Sequence, residues 1–234
     1  MKKKLIILFL FSGFISNSQT AYNYFCSGNL KNNSKDYREA IVDYSLAISL
    51  DQKYYDAYRA RADAKLATND YYGAIADYTT AIGINPKDGY PYYSRGNTKI
   101  TLKDYRGAIA DFTKVLEITP NFDPAYYNIG CAKKAIQDYY GAIAAFSKAI
   151  ELNPTHSWAY GNRGNVKAKL EDYRGAIDDY TKALEIDSNN SNNYLNRGFA
   201  KLHLNQKESG CLDFSKAGEL GYTEAYDIIK KLCN

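Results

Sequence analysis

"AYYNIGCAKKAIQDYYGAIAAFSKAIELNP", residues 125–154, contains a complete structural unit. Apolar and small residues recur at helical spacing over 126–136. Asp138 follows, placed to cap a second helix by accepting its free N–H groups. The second apolar-periodic run ends before Pro154, which lacks the N–H needed to extend a helix. The reading is helix, turn, helix, turn. It repeats: "DYYGAI" at Asp138 is matched by "DYREAI" at Asp36, "DYYGAI" at Asp70, "DYRGAI" at Asp104 and "DYRGAI" at Asp172, always 34 residues apart. Gln206 opens a degenerate sixth copy. In the first copy, Asp36 and Glu39 have the spacing of a capping box. Pro86 and Pro120 stand where Pro154 does.

Small residues explain how the two helices approach. Gly28, Ala62, Gly96, Gly130, Gly164 and Gly198 recur on the first helix, and Ala40, Ala74, Ala108, Ala142 and Ala176 on the second. Tyr44, Tyr78, Phe112, Phe146, Tyr180 and Phe214 fill the space between units. One such pair cannot bury its apolar face alone, but a stack of six can, provided the last surface is covered. After Leu220 the pattern changes to "GYTEAYDIIKKLCN", where Ala225, Ile228, Ile229 and Leu232 share a helical face. That segment is expected to be a capping helix.

The amino-terminal "MKKKLIILFLFSGFISNSQT" stands outside the repeat. Three lysines, an apolar run from Leu5 to Ile15 and Ser16-Asn17-Ser18 form the pattern of a secretory signal peptide, cleaved before Gln19. The run is short for a membrane span, so the mature chain is expected not to span a membrane, the alternatives being an uncleaved amino-terminal anchor or a buried helix. Cys26 follows Tyr24-Phe25 rather than the apolar run, which argues against lipidation. The formal charge of +4 comes largely from Lys2, Lys3 and Lys4. Without them, 27 basic residues face 26 acidic ones, leaving no nucleic-acid footprint.

No catalytic constellation emerges. His156 and His203 lie in different copies without a nucleophile or metal partner at a recognisable spacing, so they read as turn and helix-surface residues. The glycines recur with the repeat rather than in a phosphate loop. No cofactor, metal or small-molecule substrate is expected. Cys26 and Cys131 lie about three copies apart and should not meet. Cys211 begins a second helix and Cys233 ends the cap. Antiparallel packing would let them form a disulfide, the alternative being two separate small core residues.

A charge recurs where a leucine is expected. Arg61, Arg95, Arg163 and Arg197 occupy equivalent first-helix sites, with Ser27 and Ile129 in the other copies. Each arginine has an aspartate in its own second helix: Asp77, Asp111, Asp179 and Asp213 respectively. The isoleucine copy has Ala145 instead. These are expected to be four ion pairs within their helix pairs, with Asp43 an exception facing only Ser27. Lys31, Lys65, Lys99, Lys133, Lys167 and Lys201 also recur; their stems should lie along the helix pair, with amines reaching water or a nearby carboxylate.

The period of 34 and the succession of tyrosine, glycine, alanine, aromatic, alanine and proline resemble the tetratricopeptide repeat family. The variant "NRG…AK…DY.GAI.DY.KA" is similar to exported bacterial versions. The resemblance implies an all-α, right-handed superhelical solenoid, with repeats at 21–54, 55–88, 89–122, 123–156, 157–190 and 191–222 between the expected leader at 1–18 and the expected cap at 223–234. It further implies that first helices line a concave surface where ligands bind. The outward sites there hold Phe25, Asn29, Arg59, Asp63, Tyr93, Asn97, Tyr127, Cys131, Asn165 alongside Gly161, Leu195 and Phe199, with Tyr90 and Trp158 nearby. Aromatic platforms interleaved with asparagines suit an extended peptide. Members that grip a terminal carboxylate use lysines, arginines and asparagines at these sites; only Arg59 is basic here, so that clamp is not expected. The expected function is an exported (periplasmic or secreted) non-enzymatic scaffold holding a protein or peptide segment in its groove. The alternative is a structural subunit docking into an envelope assembly through edges or convex side.

Overall fold

The computed structural model describes the backbone of residues 2–233 and the side chains of residues 17–233. The expected leader at 1–18 therefore falls almost wholly outside the described side chains. The chain forms two compact units, residues 1–118 and 119–234. The first contains α1 (Lys2–Asn33), α2 (Tyr37–Leu50), α3 (Tyr55–Ala67), α4 (Tyr71–Ile84), α5 (Gly89–Thr101) and α6 (Tyr105–Ile118). The second contains α7 (Asp123–Ala135), α8 (Tyr139–Leu152), α9 (Ser157–Lys169), α10 (Tyr173–Ile186), α11 (Ser191–His203), α12 (Lys207–Glu219) and α13 (Ala225–Leu232). Within each unit consecutive helices pack on one another, and no strand occurs among the described residues. The fold is all-α and built from helix pairs. Among the described residues no helix is long and apolar enough to cross a membrane.

The turn inside each pair is tight because one residue adopts a left-handed conformation. Asn69 has φ 62°, and Lys35, Lys103, Gln137, Glu171 and Asn205 have φ between 58° and 66°. Around Asn69 the Asp70 N–H reaches the Lys65 carbonyl and the Asn69 N–H the Leu66 carbonyl, so the end of α3 is closed by its own backbone. The next residue then caps the second helix. Asp70, Asp104, Asp138 and Asp172 each accept from the N–H three residues on, at 2.9–3.0 Å.

Glycine at that third position makes the cap possible. A Cβ on Gly73 would stand 2.1 Å from the Asp70 carboxylate, and one on Gly175 2.2 Å from that of Asp172. Asp36 makes no such bond, contrary to the capping-box expectation. Its third position is Glu39, whose Cβ would occupy the space that the other carboxylates use.

Tyr44, Tyr78 and Phe112 in one unit, and Phe146, Tyr180 and Phe214 in the other, are buried between helices. Their rings lie against first-helix glycines: a Cβ on Gly130 would meet Phe146 at 2.6 Å. α13 closes the second unit. Ala225 is buried, and Ile228 and Ile229 pack against Leu195, Phe214 and Ala217. Leu232, expected on the same face, is exposed, because α13 ends there. Cys211 and Cys233 form a disulfide with Cα atoms 5.9 Å apart, fastening the end of α13 to the start of α12. Cys26 and Cys131 are free thiols.

Candidate functional site

The recurring charges come first, because their geometry decides which side chains remain for binding. Arg163 donates from Nε and Nη2 to both carboxylate oxygens of Asp179, at 2.9 and 2.6 Å. Arg61–Asp77, Arg95–Asp111 and Arg197–Asp213 have the same two-point geometry. The remaining Nη1 of Arg163 reaches Ser147 Oγ on the second helix of the preceding copy, at 2.8 Å. Ser45, Thr79 and Thr181 serve Arg61, Arg95 and Arg197 likewise. Each aspartate also receives a lysine one turn after its arginine: Lys65, Lys99, Lys167 and Lys201 stand 2.7–2.8 Å from Asp77, Asp111, Asp179 and Asp213. The unit is thus a triad, tied to its neighbour by a hydroxyl.

The two exceptional copies differ from expectation in an instructive way. Asp43 faces Ser27 at 2.6 Å, but Lys31 also lies 2.8 Å away. Burial pushes the Asp43 carboxyl up, yet the Lys31 and Ser27 donors outweigh it and hold the pKa below its ordinary value. Where Ile129 and Ala145 replace the pair, Lys133 turns to the helix-capping Asp138 at 3.2 Å. These groups are structural and offer no free charge to a ligand.

In the first unit, several expected contact residues face inward. Phe25 packs on Tyr44 and Tyr54, at ring distances of 5.9 and 5.1 Å. Asn29 accepts the Tyr44 hydroxyl at 2.9 Å. Asp63 accepts from Tyr78 at 2.5 Å and Tyr90 at 2.9 Å. Burial raises the Asp63 pKa despite these donors and nearby Arg59. Arg59 lies 5.2 Å over the Tyr90 ring and 3.5 Å from Asp56. Tyr93 packs on Phe112, and Asn97 is half-buried on the same helix. The asparagine–tyrosine bond went unrecognised in the sequence. Its signal was present: where the second-helix aromatic carries a hydroxyl, the residue fifteen earlier is Asn29, Asp63 or Asn165.

The second unit contains an open site. Tyr127 is again partly core, set against Phe146 and His156. Asn165 accepts from the Tyr180 hydroxyl at 2.8 Å and from Asn196 Nδ2 at 2.9 Å. This linked pair forms the floor of two adjoining hollows. One, of about 340 Å³, is lined by Phe199, Lys169 and the stacked rings of Tyr173 and His203. The other, of about 230 Å³, is lined by Trp158, Gly161 and the amides of Asn162, Asn192 and Asn193. Trp158 is 61% exposed. Asn162 is engaged, donating to Tyr127 and accepting from Lys134 at 2.6 Å. Phe199 rests edge-on against Phe214, leaving its other side open. Aromatic platforms at the ends and amides between them can hold a main chain and bury planar side chains. Among the described residues no cluster of His, Cys, Asp or Glu has the geometry to hold a metal ion.

An array of paired helices with an open first-helix face defines a repeat scaffold. Tetratricopeptide repeat models match residues 55–88 and 90–122, and 124–156 and 157–190, together more than half of the chain. The chain belongs to the tetratricopeptide repeat family. Among solved structures it is similar to MamA at 26% identity, covering 74% of this chain and 94% of that one, TM-score 0.68. It is similar to Pseudomonas aeruginosa PilF at 15% identity, covering 92% and 99%, TM-score 0.71. A third is YrrB, described as a TPR protein with an unusual peptide-binding site, at 20% identity, covering 80% and 97%, TM-score 0.68. No curated protein matches the chain. Tetratricopeptide proteins bind peptides or proteins, and the family supports protein–protein interaction as the general function.

Proposed function

We propose that this protein is an exported, non-enzymatic scaffold that holds an extended peptide or protein segment on its first-helix face, with α9 and α11 forming the principal site. The observation that carries this reading is the juxtaposition of exposed Trp158 with an amide-lined hollow and an aromatic one. Large exposed aromatics beside unengaged polar groups are the usual anchors of a binding surface. Export is supported by the charged-then-apolar amino terminus and by the Cys211–Cys233 disulfide, a bond that persists in oxidising compartments. Nucleic acid, metal and small-molecule substrates have no counterpart in this reading.

A second reading, docking through the second helices, draws on Tyr140, 78% exposed on α8. Partner capture from an envelope extract separates the two. Trp158→Ala should abolish capture and Tyr140→Ala should leave it intact. Capture that survives both Trp158→Ala and Tyr93→Ala rules out the first-helix face.

A further inference from the structure

Asn193 is 6% exposed and sits at the base of the hollow beneath Trp158. Its backbone N–H bonds Asn190, but its side-chain amide has no protein partner among the described residues. Neither amide atom is sealed off, so what remains exposed includes the polar nitrogen and oxygen. An otherwise buried side chain whose amide alone opens into a cleft, without a protein partner, is placed for an occupant to supply its hydrogen bonds. Gly161 makes the room: a Cβ there would stand 2.7 Å from Asn193 Oδ1 and 3.3 Å from Nδ2. Beside it, Asn196 Oδ1 and Asn165 Nδ2 are also unengaged, since their bond uses the opposite atoms. The floor therefore offers amide donors and acceptors side by side, the complement of successive peptide groups.

The amides of this floor are uncharged, and the one charged side chain lining either hollow is Lys169, at the aromatic end. Asn162, Asn165, Asn193 and Asn196 are neutral, and Lys134 is already held by Asn162. No carboxylate lines either hollow. From Trp158 to Lys169 the helix rises about 16 Å, at about 1.5 Å per residue. An extended chain covers that in about five residues, at about 3.3 Å each. One end lies under the indole and the other on Phe199 and the Tyr173–His203 stack.

We infer that the α9–α11 groove binds an internal, uncharged stretch of about five extended residues, hydrogen-bonded through its main chain to Asn165, Asn193 and Asn196, with one aromatic side chain seated on the Phe199, Tyr173 and His203 end. This rests on the peptide-scaffold reading and specifies its ligand: a cationic segment finds no carboxylate in either hollow, and Lys169 stands at the aromatic end, away from the amide floor that takes the main chain.

The probe is a randomised heptapeptide library displayed between fixed flanks and panned over the full chain. Enriched sequences are then synthesised with both ends blocked. Trp158 is the only tryptophan in the chain, so its emission reports occupancy directly. The expected peptides are uncharged across their centre and carry one aromatic. They should shift Trp158 emission and bind within twofold of the same affinity at low and high salt. Asn193→Leu, which keeps the shape and removes both polar atoms, should weaken binding at least tenfold. Gly161→Ala, which fills the floor, should do the same, with unchanged circular dichroism in both variants.

Peptides that need a free carboxylate, or that bind these two variants normally while losing affinity to Tyr93→Ala, overturn this inference but leave the scaffold reading standing. Failure to enrich any peptide overturns both. So does a neutral oligosaccharide such as maltoheptaose shifting the emission where no peptide does.

Discussion

Replacing Arg163 and Asp179 separately and together tests the triad on which the helix-pair stack depends. Arg163→Ile removes two charge-assisted bonds to Asp179 and one to Ser147. The Asp179 side chain is only 4% exposed, but Lys167 remains 2.8 Å away, so its charge is not orphaned. Hydrogen bonds to charged groups contribute about 1.5–3 kcal/mol each, and the retained lysine limits the total to about 3 kcal/mol. Asp179→Ala is worse: Arg163 and Lys167 are left facing each other without an anion, at a cost of about 3–5 kcal/mol. The double change recreates the fourth copy, where Ile129 faces Ala145 and the equivalent lysine, Lys133, pairs with Asp138. Lys167 can turn to Asp172 in the same way, so the double variant should lose only about 1–2 kcal/mol, since the paired charges are removed together. Urea unfolding followed by Trp158 emission on the same helix measures all three. Single costs that sum to the double within about 0.5 kcal/mol would show that the two residues act independently.

Three other outcomes follow from the geometry. Asp172→Ala and Gly175→Ala should each cost about 1 kcal/mol by losing the cap, whereas Asp36→Ala, which loses no such bond, should stay within a few tenths; equal effects in urea titrations would dismiss the glycine-dependent cap. Cys211 and Cys233 are 22 residues apart, so reduction should cost about 3 kcal/mol. Hydrogen exchange should rise first in 225–232, and uniform loosening of the unit would contradict a local fastening. Asp63→Asn should raise stability at neutral pH, because burial lifts the Asp63 pKa and its ionised form is therefore penalised in the fold. The gain should be full above the raised folded pKa and fade as pH falls toward the ordinary carboxylate value near 3.9; a gain that grows on acidification would reverse the assignment.

The helix pairs and their turns were legible because 34-residue self-similarity exposes every structural position several times over. The arginine–aspartate relation was legible for the same reason, since the copy with Ile129 also has Ala145. Its lysine was harder to place: Lys167 lies one turn beyond Arg163, and only the shared tilt of both side chains brings them to one carboxylate. Asn29, Asp63 and Asn165 looked outward by repeat position but bond the tyrosine beneath them. Exposure of a helix position does not decide where a short amide turns. Asn193 was not legible at all. Its role depends on Gly161, 32 residues earlier on another helix, leaving room for an amide, a detail of packing that no periodicity encodes.

A photo-crosslinking phenylalanine analogue at position 158, which keeps an aromatic ring there, compared with one at position 140, locates the partner in living cells and so tests the central claim most directly. The first-helix account predicts a discrete adduct from 158 that is lost when Gly161→Ala is added, and none from 140. An adduct from 140 alone, or one from 158 indifferent to Gly161→Ala, would place the interaction on the other face or outside the groove.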